Sequence, residues 1–249
     1  MELIINADDF GWDLETNQGI LMLCQAQKIR GVSIMANFAE EEWVQKLLPF
    51  QNTVRLGLHV VLNEGMPLLP PREIPSLVDV EGKFYASNAL WKRYLMGKVK
   101  QEHIQKEVFA QAGRLRDLGV VLSHADSHQH IHHFPFLGNV ILTALRRADI
   151  KSVRNSIPSD QKDFRRKLLY CFCRLTKRNL RSFSHNDVLV TYLASNSTYQ
   201  KQSLEELCLR LASRNVQKAE LMCHPALADR EGSYLRRKSE FDFLLETVL

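Results

Sequence analysis

Five of the nine histidines in the chain fall within ten positions, the stretch HADSHQHIHH at residues 124–133, with Asp126 among them. Imidazole and carboxylate are the groups that hold divalent ions and move protons near neutral pH. On an extended backbone His124, Asp126, His128, His130 and His132 share one side, successive members roughly 7 Å apart. They cannot all reach one ion. One or two can bind it, while the others orient ligands or touch substrate, and an aspartate beside a histidine is suited to fixing its tautomer. Asp8 and Asp9 are neighbouring acids, a costly pair in a partly buried site unless a cation compensates them. Because successive strand residues face opposite ways, one can bind metal while the other stays free as a base. His59, in GLHVVLNEG, and His224, in CHPA, complete the set. Each has an ordinary explanation alone, a satisfied buried histidine or an Asp-Asp helix cap; the joint pattern points to a metal site.

Elements that would position these groups recur along the chain. Short apolar runs at 3–7, 32–36, 54–62, 120–125, 151–155, 187–193 and 219–223 have the length and β-branched content of buried strands. Between most of them, residues 16–28, 40–50, 102–119, 136–148 and 203–215 carry apolar side chains at three- and four-residue steps, with Gly119 and Ser203 as stop and start signals. This alternation predicts an α/β fold: one distorted (β/α) barrel of about seven parallel strands, an incomplete TIM-like arrangement over residues 1–249 as a single domain. Asp8, Asp9, His59, Asp126, His128 and His224 all fall at or near the carboxyl ends of the predicted strands, the edge where the loops of such barrels converge. The stretch 63–87 has four prolines and no clear periodicity, as lids and binding loops often do.

Composition bounds the rest. A hydrophobic fraction of 45% and a charged fraction of 24% suit a globular protein with a sizeable core. No apolar run reaches the ~20 residues that span a bilayer, and the N-terminus turns acidic too early for a secretory segment, so no transmembrane segment and a cytoplasmic location are expected. The five cysteines contain no CxxC and suggest neither disulfides nor a zinc ribbon. Much of the net charge of +5 lies in 161–185. That stretch reads as the solvated face of an amphipathic helix, with an anionic ligand or membrane surface as the sharper alternative; nothing beside it resembles a nucleic-acid-binding motif, and no nucleic acid partner is expected.

NADDFG at 6–11, GLHVVLNEG at 57–65, HADSHQHIHHFP at 124–135 and CHPA at 223–226, in that order, resemble the YdjC-like carbohydrate deacetylases, which include chitooligosaccharide deacetylases. The resemblance implies a divalent metal ion, Mg2+ or Zn2+, held by Asp9, His59 and His128, and hydrolysis of the N-acetyl group of an acetylated amino sugar or short oligosaccharide with release of acetate. It casts Asp8 as general base and His224 as general acid, and suggests a homodimer. Asn6 is placed to brace the acids, Asp126 to stand behind the ligands, His130 to do the same or to meet the substrate, and Arg154, as a lone arginine, to form a structural ion pair or else to orient a carboxylate or sugar substituent. Phe84, Tyr85 and Trp91 are candidates for stacking on sugar rings. Between 155 and 215 no motif aligns. A metallophosphoesterase, or a metal-binding barrel without turnover, are the alternatives; the first lacks anion-cradling loops beside the motifs, and the second has no need of Asp8 and His224.

Overall fold

The computed structural model describes residues 1–161, 163–191, 201–232 and 235–246, with 201–204 as helix backbone alone. Six strands form one parallel sheet: β1 (Glu2–Phe10), β2 (Gly31–Ile34), β3 (Arg55–Val60), β4 (His124–Ser127), β5 (Val188–Val190) and β6 (Lys218–Cys223), in the order β4-β3-β2-β1-β6-β5. The sheet curls into a partial barrel. Single parallel bridges, Ala125 to Val153, Ser152 to Ser184 and Pro158 to Leu189, continue the wall from β4 towards β5. Residues 151–155 thus lie where a seventh strand was expected, but pair only through these bridges.

Strands such as β1 and β6 are buried along nearly their whole length, because helices cover one face and the barrel interior the other. Around them pack α1 (Leu14–Gln25), α2 (Glu41–Leu47), α3 (Ser87–Leu95), α4 (Gln101–Asp117), α5 (Leu137–Arg147), α6 (Phe164–Leu180), α7 (Lys201–Ser213) and α8 (Arg237–Glu246). Asp13 caps α1, accepting from the Thr16 amide at 2.8 Å. α4 ends as predicted at Gly119, whose φ of +93° lets Val120 N–H return to the Leu115 carbonyl. α7 begins two residues before Ser203, whose side chain lies outside the described residues, as do positions 192–193 of the strand expected at 187–193.

Two expectations change. The strand read at 120–125 lies at 124–127, so HADS is itself the strand, with all four residues buried. Beyond Ser127 the chain turns into a short 3-10 segment with Gln129 and His130 at φ +54° and +56°. Alternation therefore stops at the end of β4, and the histidine tract does not line up on one side.

The 63–87 stretch is tied down. Buried Glu107 on α4 accepts the amides of Leu68 and Leu69, Gln111 bonds both backbone groups of Val61, and Ile74, Leu77, Val78 and Phe84 enter the core.

Candidate metal and active site

Asp8 and Asp9 close β1 in an irregular geometry. Ala7 pairs with Val32 and Phe10 with Ile34, three steps on one strand against two on its neighbour, and Asp9 has a φ of +67°. This is a bulge, and it cancels the alternation expected of neighbouring strand residues. Both acids are buried and both line the same cleft of ≈ 890 Å³ at the carboxyl edge of the sheet. Gly11 follows at φ +104°; a Cβ there would lie 2.6–2.7 Å from Ala39, so only glycine lets the chain leave the bulge.

Asp9 Oδ1 lies 3.3 Å from His59 Nε2 and 3.4 Å from His128 Nδ1. The three donor atoms are all within 4.8 Å of one another. Asp9 Oδ1 and His59 Nε2 are buried, yet neither makes a hydrogen bond. Donors about 2.1 Å from one ion stand roughly 3.0–3.4 Å apart, so these separations suit atoms that converge on a common cation better than atoms bonded to each other. The residues fit a metal ion. Burial favours the neutral acid at Asp9, but contact with the His128 and His59 imidazoles holds its carboxyl well below the usual range. Burial likewise opposes a proton on His59, yet the Asp126 and Asp9 carboxylates raise it to about 10.

A second trio, Asp8, His59 and Asp126, is equally close. Its carboxylates are already paired, because the buried Arg154 guanidinium forks onto Asp8 with two contacts of 2.6 Å, touches Asp126 Oδ2 at 2.7 Å, and bonds Glu220 through Nε at 2.7 Å. Asn6 donates to Asp8 at 2.7 Å and to Ser33 Oγ at 2.8 Å, and Ser33 donates to Asp126 at 2.9 Å. Asp126 Oδ1 then accepts from His59 Nδ1 at 2.7 Å, which leaves Nε2 facing Asp9. A closed polar ring beneath the cleft thus fixes Asp8 on one side and the His59 tautomer on the other. Arg154 belongs to this ring and does not line the cleft.

The remaining histidines divide. His130 lines the cleft and contacts Ser156 Oγ at 3.1 Å. His124 contacts Ser33 and Ser123, His132 the Arg154 carbonyl, and His133 Thr176 and the Ser156 amide, all buried structural roles. His224 lines the cleft after β6; burial lowers it to about 4, and its Nδ1 makes no hydrogen bond, with Glu240 3.9 Å away. Burial pushes Glu240 up to about 8.

No motif or spacing singles out Arg237. It is buried on α8, donates to Asp9 Oδ2 at 2.7 Å, and lies over Trp12. Trp12 stacks on Phe38 and leans on His128, their ring centres 5.7 and 5.0 Å away. Of the three aromatic candidates, Trp91 lines the cleft and packs against Phe134 and Phe172, whereas Phe84 is core and Tyr85 sits under Arg93.

An incomplete parallel (β/α) barrel with a buried Asp-His-His cluster at its carboxyl edge is the class that fold and site define. Within it, the chain belongs to the YdjC-like protein family, whose model matches residues 2–249. Over 257 aligned positions it is 26% identical to a carbohydrate deacetylase of Vibrio parahaemolyticus, covering 100% of this chain and 90% of that protein. A carbohydrate deacetylase of Brevibacillus brevis is 34% identical over 142 residues, 57% of this chain. The chain spans about half that relative's length, 54%. Among solved structures, a protein of Enterococcus faecalis described as a cellobiose-phosphate cleavage protein superposes with a TM-score of 0.78 at 23% identity, covering 98% of this chain and 90% of that one. That likeness shows the fold.

Proposed function

We propose that the whole chain acts as one hydrolase domain that removes the N-acetyl group from an acetylated amino sugar or short, chitooligosaccharide-like oligosaccharide, releasing acetate. The observation that carries this reading is the pair of buried, unbonded donors, Asp9 Oδ1 and His59 Nε2, beside His128. The relatives' common name, carbohydrate deacetylase, supports the substrate class. Asp9, His59 and His128 would hold one divalent ion; two imidazoles and a carboxylate favour Zn2+ over Mg2+, which prefers oxygen donors. When bound, such an ion polarises a carbonyl and lowers the pKa of water.

The chain's own groups account for the rest of amide hydrolysis. Asp8, held in orientation by Arg154 and Asn6, accepts the proton of the attacking water at a carboxylate oxygen. His224 hands a proton to the departing nitrogen. Burial lowers His224 to about 4, so the proton it hands over is the one that Asp8 takes from the attacking water and passes on, which returns Asp8 to its carboxylate and His224 to its neutral form. Trp91 and Trp12 offer apolar faces to a pyranose ring, and His130 a polar contact at its rim. A homodimer is the accompanying proposal from the family resemblance.

Acetate release is to be measured on a panel from N-acetylglucosamine through short chitooligosaccharides to lipid- and nucleotide-linked amino sugars, with Zn2+ and Mg2+ compared and phosphate release followed in parallel. Acetate from at least one acceptor, abolished by chelation and restored by metal, is expected. Phosphate without acetate overturns the reading.

A further inference from the structure

Helix α6 buries only Cys173, Thr176 and Leu180 among its seventeen residues. Phe164, Leu168, Cys171 and Leu175, spaced by four, three and four, fall on one stripe of the opposite face. The stripe is exposed: Phe164 at 77%, Leu168 at 41% and Leu175 at 67%, with Cys171 also open to solvent. The helix carries six bases and no acid. Arg166 is held by Asp160. Lys167, Arg174 and Arg178 are exposed and fall on the flank of the stripe away from the cleft. On the other flank Arg165, Leu168, Leu169 and Phe172 line the cleft itself.

An apolar stripe edged by bases is the make-up of a helix that lies in the plane of a membrane interface. Two other occupants suit it less well. A second copy packing this face against its own equivalent would set bases against bases with no acid on the helix to relieve them. A nucleic acid would satisfy the bases and leave Phe164 and Leu175 in water. Among the described residues no helix is long and apolar enough to cross a membrane, so contact would be peripheral.

We propose that α6 docks the protein on an anionic lipid bilayer, the Phe164–Leu168–Cys171–Leu175 stripe entering the headgroup layer and the three flanking bases meeting lipid phosphates. Because the same helix forms a wall of the cleft, docking sets the cleft at the membrane surface. Resting on the deacetylase reading, the acceptor is then an N-acetylated amino sugar carried on a lipid.

The test is co-sedimentation of the full chain with vesicles of phosphatidylcholine alone or mixed with phosphatidylglycerol. Each base near an anionic surface multiplies partition roughly fivefold. The wild type should therefore partition at least about 100-fold more strongly onto the anionic vesicles, and added salt should weaken it. Changing Lys167, Arg174 and Arg178 to Gln together should remove that preference, and Phe164→Glu with Leu175→Glu should abolish binding. Circular dichroism should show every variant folded. Equal partition onto both compositions, or undiminished binding by the Glu pair, overturns the proposal. So does a wild-type dimer in sedimentation velocity that the Glu pair dissolves, or RNA binding that the pair leaves intact. Acetate release separates the two readings: the pair should slow hydrolysis of a vesicle-borne N-acetyl amino sugar and leave a free sugar unaffected. Vesicle binding without acetate from either acceptor removes the deacetylase reading and leaves the docking face standing.

Discussion

Arg154→Met tests whether the polar ring beneath the cleft stabilises the fold. Arg154 is 2% exposed and its guanidinium meets three buried carboxylates, Asp8, Asp126 and Glu220, at 2.6–2.7 Å. Methionine preserves much of the volume and strands those charges. Removing one partner of a buried ion pair typically costs ~3–5 kcal/mol, a large part of the ~5–15 kcal/mol that a folded domain has in total. For a chain of this length 1 kcal/mol moves Tm by roughly 2–4 °C, so a fall of about 6–20 °C is expected. The low end applies if Glu220, which burial already pushes up, relieves part of the repulsion by taking a proton. Arg154→Lys should fall between, since an ammonium keeps the charge but loses the fork onto Asp8. Thermal unfolding by circular dichroism, with chelator present to remove any stabilisation by bound metal, is the assay. The pH dependence has a definite sign. Burial works against the Asp126 charge, but Arg154 and His59 hold its carboxyl well below the usual range. Stability from that pair is present above about pH 4 and is lost only as pH falls further. The gap between wild type and Arg154→Met should persist from pH 7 to 4 and narrow in stronger acid. A Tm within 2 °C of wild type at pH 7 would refute the reasoning.

Asp9→Ala, His59→Ala and His128→Ala should each weaken Zn2+ binding by more than about 100-fold, and Asp126→Asn, acting through the His59 tautomer, by about 10- to 100-fold; calorimetric titrations of folded protein that leave all four affinities unchanged remove the site. Asp8→Asn should keep the metal and lower acetate release by about 10²- to 10⁴-fold, and His224→Ala should also spare the metal, with a smaller loss on acceptors that have a better leaving group. If Asp8→Asn loses metal while Asp9→Asn keeps metal and activity, the two roles are exchanged. Gly57→Ala would drive a Cβ into the His124 ring, and is expected to cost about 1–3 kcal/mol, read as a lower urea midpoint; an unchanged midpoint means that the ring moves freely.

The sequence located most strands because parallel strands buried on both faces show as unbroken apolar runs. It misplaced β4 because HADS is buried while polar: His124 and Asp126 find partners in Ser33, Arg154 and His59, and hydrophobicity does not record such satisfaction. Arg237 and Glu240 escaped notice for the same reason, on a helix whose inner face is partly charged. The four motifs did bring their residues into one neighbourhood, since each ends a strand and parallel strands end on one edge. What no spacing could reveal was the bulge, which depends on the backbone angle of Asp9 itself.

That angle also restricts how the position can change in evolution. A φ of +67° is tolerated by glycine, asparagine, aspartate and histidine far better than by other residues. Of these four, aspartate alone carries an anionic donor. Glutamate or cysteine, which serve as metal ligands elsewhere, would each meet a strained backbone here before any question of coordination arose. Drift is therefore confined to a shortlist in which every alternative surrenders the charge, so that loss of the carboxylate at position 9 in a descendant chain would remove the one anionic donor of the proposed metal site.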